Sequence, residues 1–487
     1  MKRLPLSLAG FLVFVAVLCG IFVSSFFQIP IFFLWALIVL GAIFLTLGIT
    51  RQEFLITGFI VIAFSLGCLR MLVVSQPDDT FVRVAGERQD FLGEVVDPPD
   101  VRDTNTQLVI ETADFGSARR VLVIMRRFPE FLRGESVYVS GVVQGLPKDN
   151  PGYRASLVRR GISGIALFPK LEAVSPQPFS LLRLLDSAKV RFESALASTL
   201  PEPDASFVIG ILIGARGSIP QAIRDAFSKT GTSHIIALSG FNITIIALAI
   251  SWALGFFRLS QKVRVAAATM GILLFVVVVG GGASVVRAAL MGVLALVALQ
   301  RGRVYEMTNA LLFAAVLMAL SNPYVLRFDV SFQLSFLATL GIIVVPPRLA
   351  SYFQWAPERF QIREILTATI AAEIFVFPLI LWNFGTVSAI GPLANLLVLP
   401  FIPLAMLLGF ITGILAMASP FLALPIAWAL HLVVTYQLGI IQLLAGFFLS
   451  SFSLPKAATF IFALPAIYFT VAALRARFHP PAAKFYV

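Results

Sequence analysis

The sequence predicts a polytopic α-helical membrane protein of about twelve spans, with a re-entrant element and a small β-barrel inserted after the third span. Three observations predict it. Of the 487 residues 59% are hydrophobic and 13% charged, with a mean hydropathy of +0.93, whereas a soluble domain carries roughly 25% charge. Uncharged apolar runs of about 20 residues recur, the length that crosses ~30 Å of hydrocarbon. One long polar stretch, 75–178, interrupts them with short β-branched runs bounded by Gly, Pro and Asp.

Residues 1–74 form a three-span region, with spans at 4–27, 30–50 and 54–74. Lys2, Arg3 and Arg51 place the N-terminus in the cytoplasm and the chain after residue 74 outside. The first run is long and lacks a small-residue cleavage site, so it reads as a retained span. Cys19 and Cys68 both lie in apolar runs, which excludes a disulfide framework and a thiolate zinc cage.

The domain 75–178 is then extracytoplasmic. DFLGEVVD, TQLVIETA, RRVLVIMRR and ESVYVSGVVQG read as strands. About four or five strands in so short a segment fit a small barrel of OB type, a fold that binds single-stranded nucleic acid or sugars through one face. Residues 78–114 hold ten acids and three bases, residues 115–200 six acids and thirteen bases. Arg119, Arg120, Arg126, Arg127 and Arg133 cluster near one strand. They are either a face that tracks a phosphate backbone or an ordinary solvated surface.

Residues 179–200 alternate apolar and basic positions at helical spacing, as an interfacial amphipathic helix does. Residues 201–475 are the main membrane domain, and 476–487 a cytoplasmic tail. The apolar piece 207–214 is too short to span and reads as re-entrant; 220–229 is a polar helix. Spans follow at 232–257, 263–281, 283–300, 307–321, 328–345, 364–384, 391–417, 421–449 and 457–474, with room for a third crossing between 391 and 449. Basic connections recur after alternate spans, at Arg258, Lys262 and Arg264, at Arg301 and Arg303, at Arg348, Arg359 and Arg363, and at Arg475 and Arg477. This places both termini in the cytoplasm and the chain in the inner membrane.

The net charge of +12 is not spread evenly. Residues 75–200 carry 16 bases and 16 acids, so the membrane segments carry the remaining 21 and 9. Positive-inside loops account for that excess without a nucleic-acid partner.

Polar groups at bilayer depth are costly and mark a working interior. TGTSHIIALSGFNITII, 230–246, gathers Gly231, Ser233, His234, Ser239, Gly240 and Asn242, and a regular helix would put His234, Leu238 and Asn242 on one face. The segment reads equally as pore lining or as interhelical glue. GGGASVVRAALMG, 280–292, buries Arg287 in an apolar run. FDVSFQLSF, 328–336, supplies Asp329 and Gln333. Arg287 either pairs with Asp329 or meets a passing anion. Glu373, Asn383 and Asn395 add polarity, Asn395 within GPLANLLVLPFIP, a run that should break its helix.

The sequence has no G-x-x-x-x-G-K-[ST] loop, so the chain does not drive transport with its own ATPase. Its three histidines, His234, His431 and His479, are far apart, so no metal or cofactor is expected. Ser239 with His234 has no acidic orienter nearby in sequence, and an enzyme is not expected.

These segments resemble the ComEC family of competence proteins. IGARGSIPQAIRDAFSKTGTSHIIALSGFNITII is similar to the family's central signature, and GGGASVVRAALMG, FDVSFQLSFLATLGI and FGTVSAIGPLANLLVLPFIP follow in the family's order. NPGYRASLVRRGISG in the β domain is also similar. The resemblance implies a channel that brings single-stranded DNA into the cytoplasm during natural transformation, with an OB-type domain meeting DNA outside. It makes the matched residues Gly231, Ser233, His234, Ser239, Gly240, Asn242, Arg287, Asp329 and Gln333, together with Asn395, candidates for the conduit. Arg119, Arg120, Arg126 and Arg127 are the outer DNA-contact candidates. The family's C-terminal metallo-β-lactamase-like domain has no counterpart before Val487. Strand degradation is therefore expected of a separate nuclease, with an extracytoplasmic DNA receptor, a cytoplasmic motor or strand-binding protein, membrane lipid and a second copy of the chain as further partners. The alternative is a transporter or receptor for another solute, such as a small anion or a glycan.

Overall fold

Three apolar helices open the chain, α1 (Leu6–Ser24), α2 (Ile31–Leu47) and α3 (Gln52–Val74). In this computed structural model the described residues are 6–478 except 28, 49–50, 75–85, 102–103, 116–118, 148, 175–180, 216–218, 237–239, 241, 244, 246–249, 251–253, 256–259, 303–304, 359–361 and 448–449. Helices α1 and α3 pack backbone to backbone because glycine faces the partner helix on each. A Cβ on Gly20 would lie 2.1 Å from the Phe64 carbonyl oxygen, and one on Gly67 2.3 Å from that of Val17. Such close approach substitutes for the hydrophobic drive that lipid does not provide.

Seven strands follow: β1 (Arg88–Val95), β2 (Asp100–Val101), β3 (Asn105–Thr112), β4 (Arg119–Arg126), β5 (Ser136–Gly145), β6 (Ile162–Leu167) and β7 (Lys170–Ala173), with α4 (Pro151–Arg159) between β5 and β6. Five of them close a barrel in the order β1-β3-β4-β6-β5, with β5 returning to pair with β1. The β4–β6 pair is parallel and its neighbours antiparallel. This is the OB arrangement expected from sequence. Both faces of β4 are covered. Val121, Val123 and Met125 join Phe91, Leu108, Ile110, Val137 and Val139 inside. Leu122 packs outward with Val109, Ile162, Ile165 and Leu157 of α4. Asn150 caps α4 by accepting the Tyr153 N–H at 3.0 Å, with Pro151 at its first turn.

Helix α5 (Leu181–Thr199) is clamped to the barrel at its N-terminal half: Arg133 and Asp186 form an ion pair at 3.1 Å, each side chain 7% exposed. Next come α6 (Asp204–Ile213), α7 (Gln221–Lys229) and a helical turn at Ser233–Ile236, then α8 (Gln261–Val279), α9 (Ala283–Gln300), α10 (Met307–Ser321), α11 (Val325–Phe328) and α12 (Val330–Val344). The chain continues through α13 (Ile362–Phe384), α14 (Gly391–Val398), α15 (Ile402–Ala418), α16 (Pro420–Ala445) and α17 (Ala458–Phe478). Among the described residues, eight helices are long and apolar enough to cross a membrane, and α2, α10 and α12 are shorter apolar helices. The run from 391 to 445 makes two such helices and no third. The first is interrupted by a 3-10 turn at Leu399–Phe401, where Pro400 and Pro403 withhold backbone donors.

The chain divides into two units. One comprises residues 1–191 and 246–333, the other 192–245 and 334–487. In the second, all ten residues of α6 are buried, packed with Ala394, Val398, Ile402, Ala405, Leu430, Val434 and Leu438. This helix, too short to span, is surrounded by protein, the setting in which a re-entrant element would be tolerated.

Candidate conduit residues

In the second unit three separated segments converge. Helix α7 ends at Thr230, whose hydroxyl lies 2.9 Å from the Ala226 carbonyl and 2.7 Å from the Thr232 hydroxyl. Gly231 then turns the chain at φ +69°, and a Cβ there would meet the Ser388 side chain at 3.1 Å. A Cβ on Gly391, at the start of α14, would lie 2.8 Å from a Glu373 carboxylate oxygen and 3.6 Å from the Thr230 carbonyl. The signature loop, the GTVSAIGP segment and the half-buried Glu373 of α13 therefore approach closely at two glycines, where a Cβ would press on the Ser388 and Glu373 side chains.

Asn242 is buried and donates to the Ile211 carbonyl of α6 at 2.9 Å, which ties the signature to that short buried helix. His234 and Ser233 are solvent-accessible, whereas Asn242 is buried. Leu238 and Ser239 lie outside the described residues; Gly240 is helical and half-buried, and Asn395 is buried in α14. Sequence reasoning missed one pair in this unit. Asp204, at the start of α6 and 6% exposed, meets His431 Nδ1 of α16 at 2.5 Å, across 227 residues of chain. The half-exposed His431 and the buried Asp204 each lie in apolar surroundings, but nothing in the sequence joined them.

In the first unit Arg287 lies one turn into α9 and is buried, after Gly280 and Gly281 at φ +93° and +63°. Pro98, between β1 and β2, packs against this glycine turn, 3.2 Å from where a Gly280 Cβ would stand. Asp329 is engaged by Arg159 of α4, not by Arg287, and also accepts the Phe332 N–H at 3.1 Å as the cap of α12. Of the two alternatives for Arg287, the pair with Asp329 gives way to Arg159 because α4 lays its C-terminal end against α11. Asn322 donates to the Arg159 carbonyl, and burial together with the adjacent Arg160 pushes the Arg159 pKa below its ordinary value. Gln333 donates to the Leu326 and Arg327 carbonyls at 2.9 Å each, closing the end of α11.

The outer arginines separate into two groups. Arg119 and Arg120 are half-buried at one end of β4, Arg120 held by Glu111 at 2.8 Å. Arg126 and Arg127 are exposed at the other end. The faces OB barrels use for ligands are the second and third strands and the loops after the first and fourth. Here that strand face, β3 and β4, is covered by α4, and the two connections lie against the α8–α9 turn and α11. Among the described residues no group of three His, Cys, Asp or Glu side chains could hold a metal.

Helices of spanning length and a closed OB-type barrel define a polytopic membrane protein with an inserted β domain. Residues 211–478, more than half of the chain, match the family model described as Competence protein, and the chain belongs to that family. It is 27% identical over 222 residues to "ComE operon protein 3" of Bacillus subtilis (strain 168), covering 45% of this chain and 28% of that protein. It is 35% identical over 63 residues to "Uncharacterized protein YcaI" of Escherichia coli (strain K12), 13% of this chain and 8% of that one. The chain thus spans well under half the length of the curated relatives it matches. No solved structure matches it.

Proposed function

We propose that this protein forms an inner-membrane passage through which one strand of DNA enters the cytoplasm, both termini being cytoplasmic and the barrel extracytoplasmic. The observation that carries this reading is the match of the membrane half to the competence family. The polar contacts at Gly231, Asn242 and Gly391 support it, because they concentrate polarity where the helices are broken. A strand that must keep moving is held weakly at many points. Scattered single groups such as Arg287, Asn242 and Asn395 suit that task better than one dense basic patch. The barrel receives the strand outside, while its α4 and the β1–β2 connection rest on the helices that carry Asp329 and Arg287. A receptor, a nuclease and a cytoplasmic motor act as separate partners.

The test is uptake of fluorescently labelled DNA into cells that express or lack the protein. Uptake is expected to vanish in the deletion strain, and to fall with Arg287→Ala or Asn242→Ala at unchanged protein level. Undiminished uptake in the deletion strain would refute the reading.

A further inference from the structure

We infer that the end of the barrel formed by Arg126, Arg127, Phe128 and Phe168 is a stacking platform for unpaired bases of a single nucleic-acid strand. The inference rests on the proposed passage of DNA and names the surface that receives it. β4 and β6 run parallel and are hydrogen-bonded neighbours, Ile124 opposite Leu167, so the segments that follow them leave the barrel at the same end. There Phe128 is 68% and Phe168 62% exposed, and Arg126 and Arg127 are exposed beside them. The Arg127 guanidinium lies 5.9 Å from the Phe128 ring centre.

Neither phenylalanine is explained by packing. Among the described residues Phe168 is the one non-glycine at positive φ, +48°, its N–H donating to the Ile124 carbonyl at 2.7 Å. A bulky side chain strains the backbone in that conformation, where glycine would sit freely. Here the strain accompanies an exposed ring, and such strain collects at functional sites. Adjacent cations and flat apolar faces match a strand of phosphates and unpaired bases. Duplex DNA keeps its bases stacked on one another and has no free face to offer the rings. Glu130, exposed two residues beyond Phe128, leaves the patch modestly basic, which suits a strand that must be released.

The test uses the purified full chain in lipid nanodiscs and two labelled probes of equal length, oligo(dT) and an abasic phosphodiester strand. The wild-type protein is expected to bind oligo(dT) more tightly. Phe128→Ala and Phe168→Gly should each weaken oligo(dT) binding by about 5- to 150-fold, the range for one base on an aromatic ring, with the abasic strand little affected. Arg126→Gln with Arg127→Gln should weaken both probes and flatten the salt dependence. Phe168→Gly should leave the melting temperature unchanged or higher, whereas a ring that served packing would lower it. Equal wild-type affinity for the two probes, or wild-type affinity in both phenylalanine variants, overturns the platform and leaves a protein or lipid as the occupant. The deletion strain keeps the two ideas apart. If uptake needs the protein but ignores both phenylalanines, only the platform falls; if uptake survives deletion, the passage itself falls.

Discussion

Replacing Arg159 by methionine tests whether the barrel is fastened to the helices beneath α4 by charge. Asp329 is 7% exposed at its side chain and would keep only the Phe332 N–H, at 3.1 Å, after the guanidinium is gone. Breaking a buried ion pair from one side costs ~3–5 kcal/mol. Arg159 is 28% exposed, so water reaches the space it leaves, and solvent screening lowers the expected loss to about 2 kcal/mol. Asp329→Asn differs in kind. Asparagine caps a helix as well as aspartate, and the half-exposed arginine left behind can reach water, so the loss should be ~1 kcal/mol or less. The double variant removes both charges and should be more stable than Arg159→Met alone, a coupling of ~1–2 kcal/mol. Thermal unfolding of the full chain in mild detergent, with protease resistance of the barrel as a second readout, gives the ranking. A double variant less stable than Arg159→Met would refute the reasoning, because it would mean that the two side chains act independently.

Gly20→Ala drives a Cβ to 2.1 Å from the Phe64 carbonyl oxygen; at ~3 kcal/mol of overpacking, the purified protein should lose its monodisperse peak in size-exclusion chromatography. Gly231→Ala meets both a φ of +69° and the Ser388 side chain, for a loss of about 2 kcal/mol. Ser388→Gly should restore part of the resulting fall in melting temperature, since it removes the contact and leaves the backbone strain. Asn242→Leu strands the buried Ile211 carbonyl, which costs ~1–3 kcal/mol and should lower the melting temperature accordingly. Asn150→Ala removes the cap of α4 and should destabilise the barrel by ~1 kcal/mol, read as faster proteolysis after residue 145.

The membrane helices were legible because lipid imposes one rule on every residue it touches, so hydropathy alone located α1, α3, α13 and α16. The break at Leu399–Phe401 was legible for a similar reason: Pro400 and Pro403 act on the backbone beside them. β1, β3, β4 and β5 announced themselves through β-branched runs. β6 did not. ISGIAL is short, contains a glycine and follows a helix, and its role as the strand that closes the barrel depends on a parallel neighbour 42 residues earlier, Ile162 opposite Arg120. Long-range polar pairs were illegible in the same way. Asp329 had a plausible partner in Arg287, but Arg159, 170 residues away, holds it. Of the conduit candidates, Gly231 and Asn242 were recognised by type, while the roles of Gly391 and Glu373 around them emerged only from packing.

Barrel closure also orders events during synthesis. β4 emerges with one edge unpaired and stays so until β6 follows, long before α11 and α12 exist. The finished barrel, with α4 already capped and laid on its flank, therefore precedes those helices as a docking template. When Asn322 and Asp329 arrive, they find the Arg159 carbonyl and guanidinium preset. A late helix pair is thus positioned by an object that folds before it is made, and a lesion that slows closure of the barrel should appear as misplacement of helices made more than a hundred residues later.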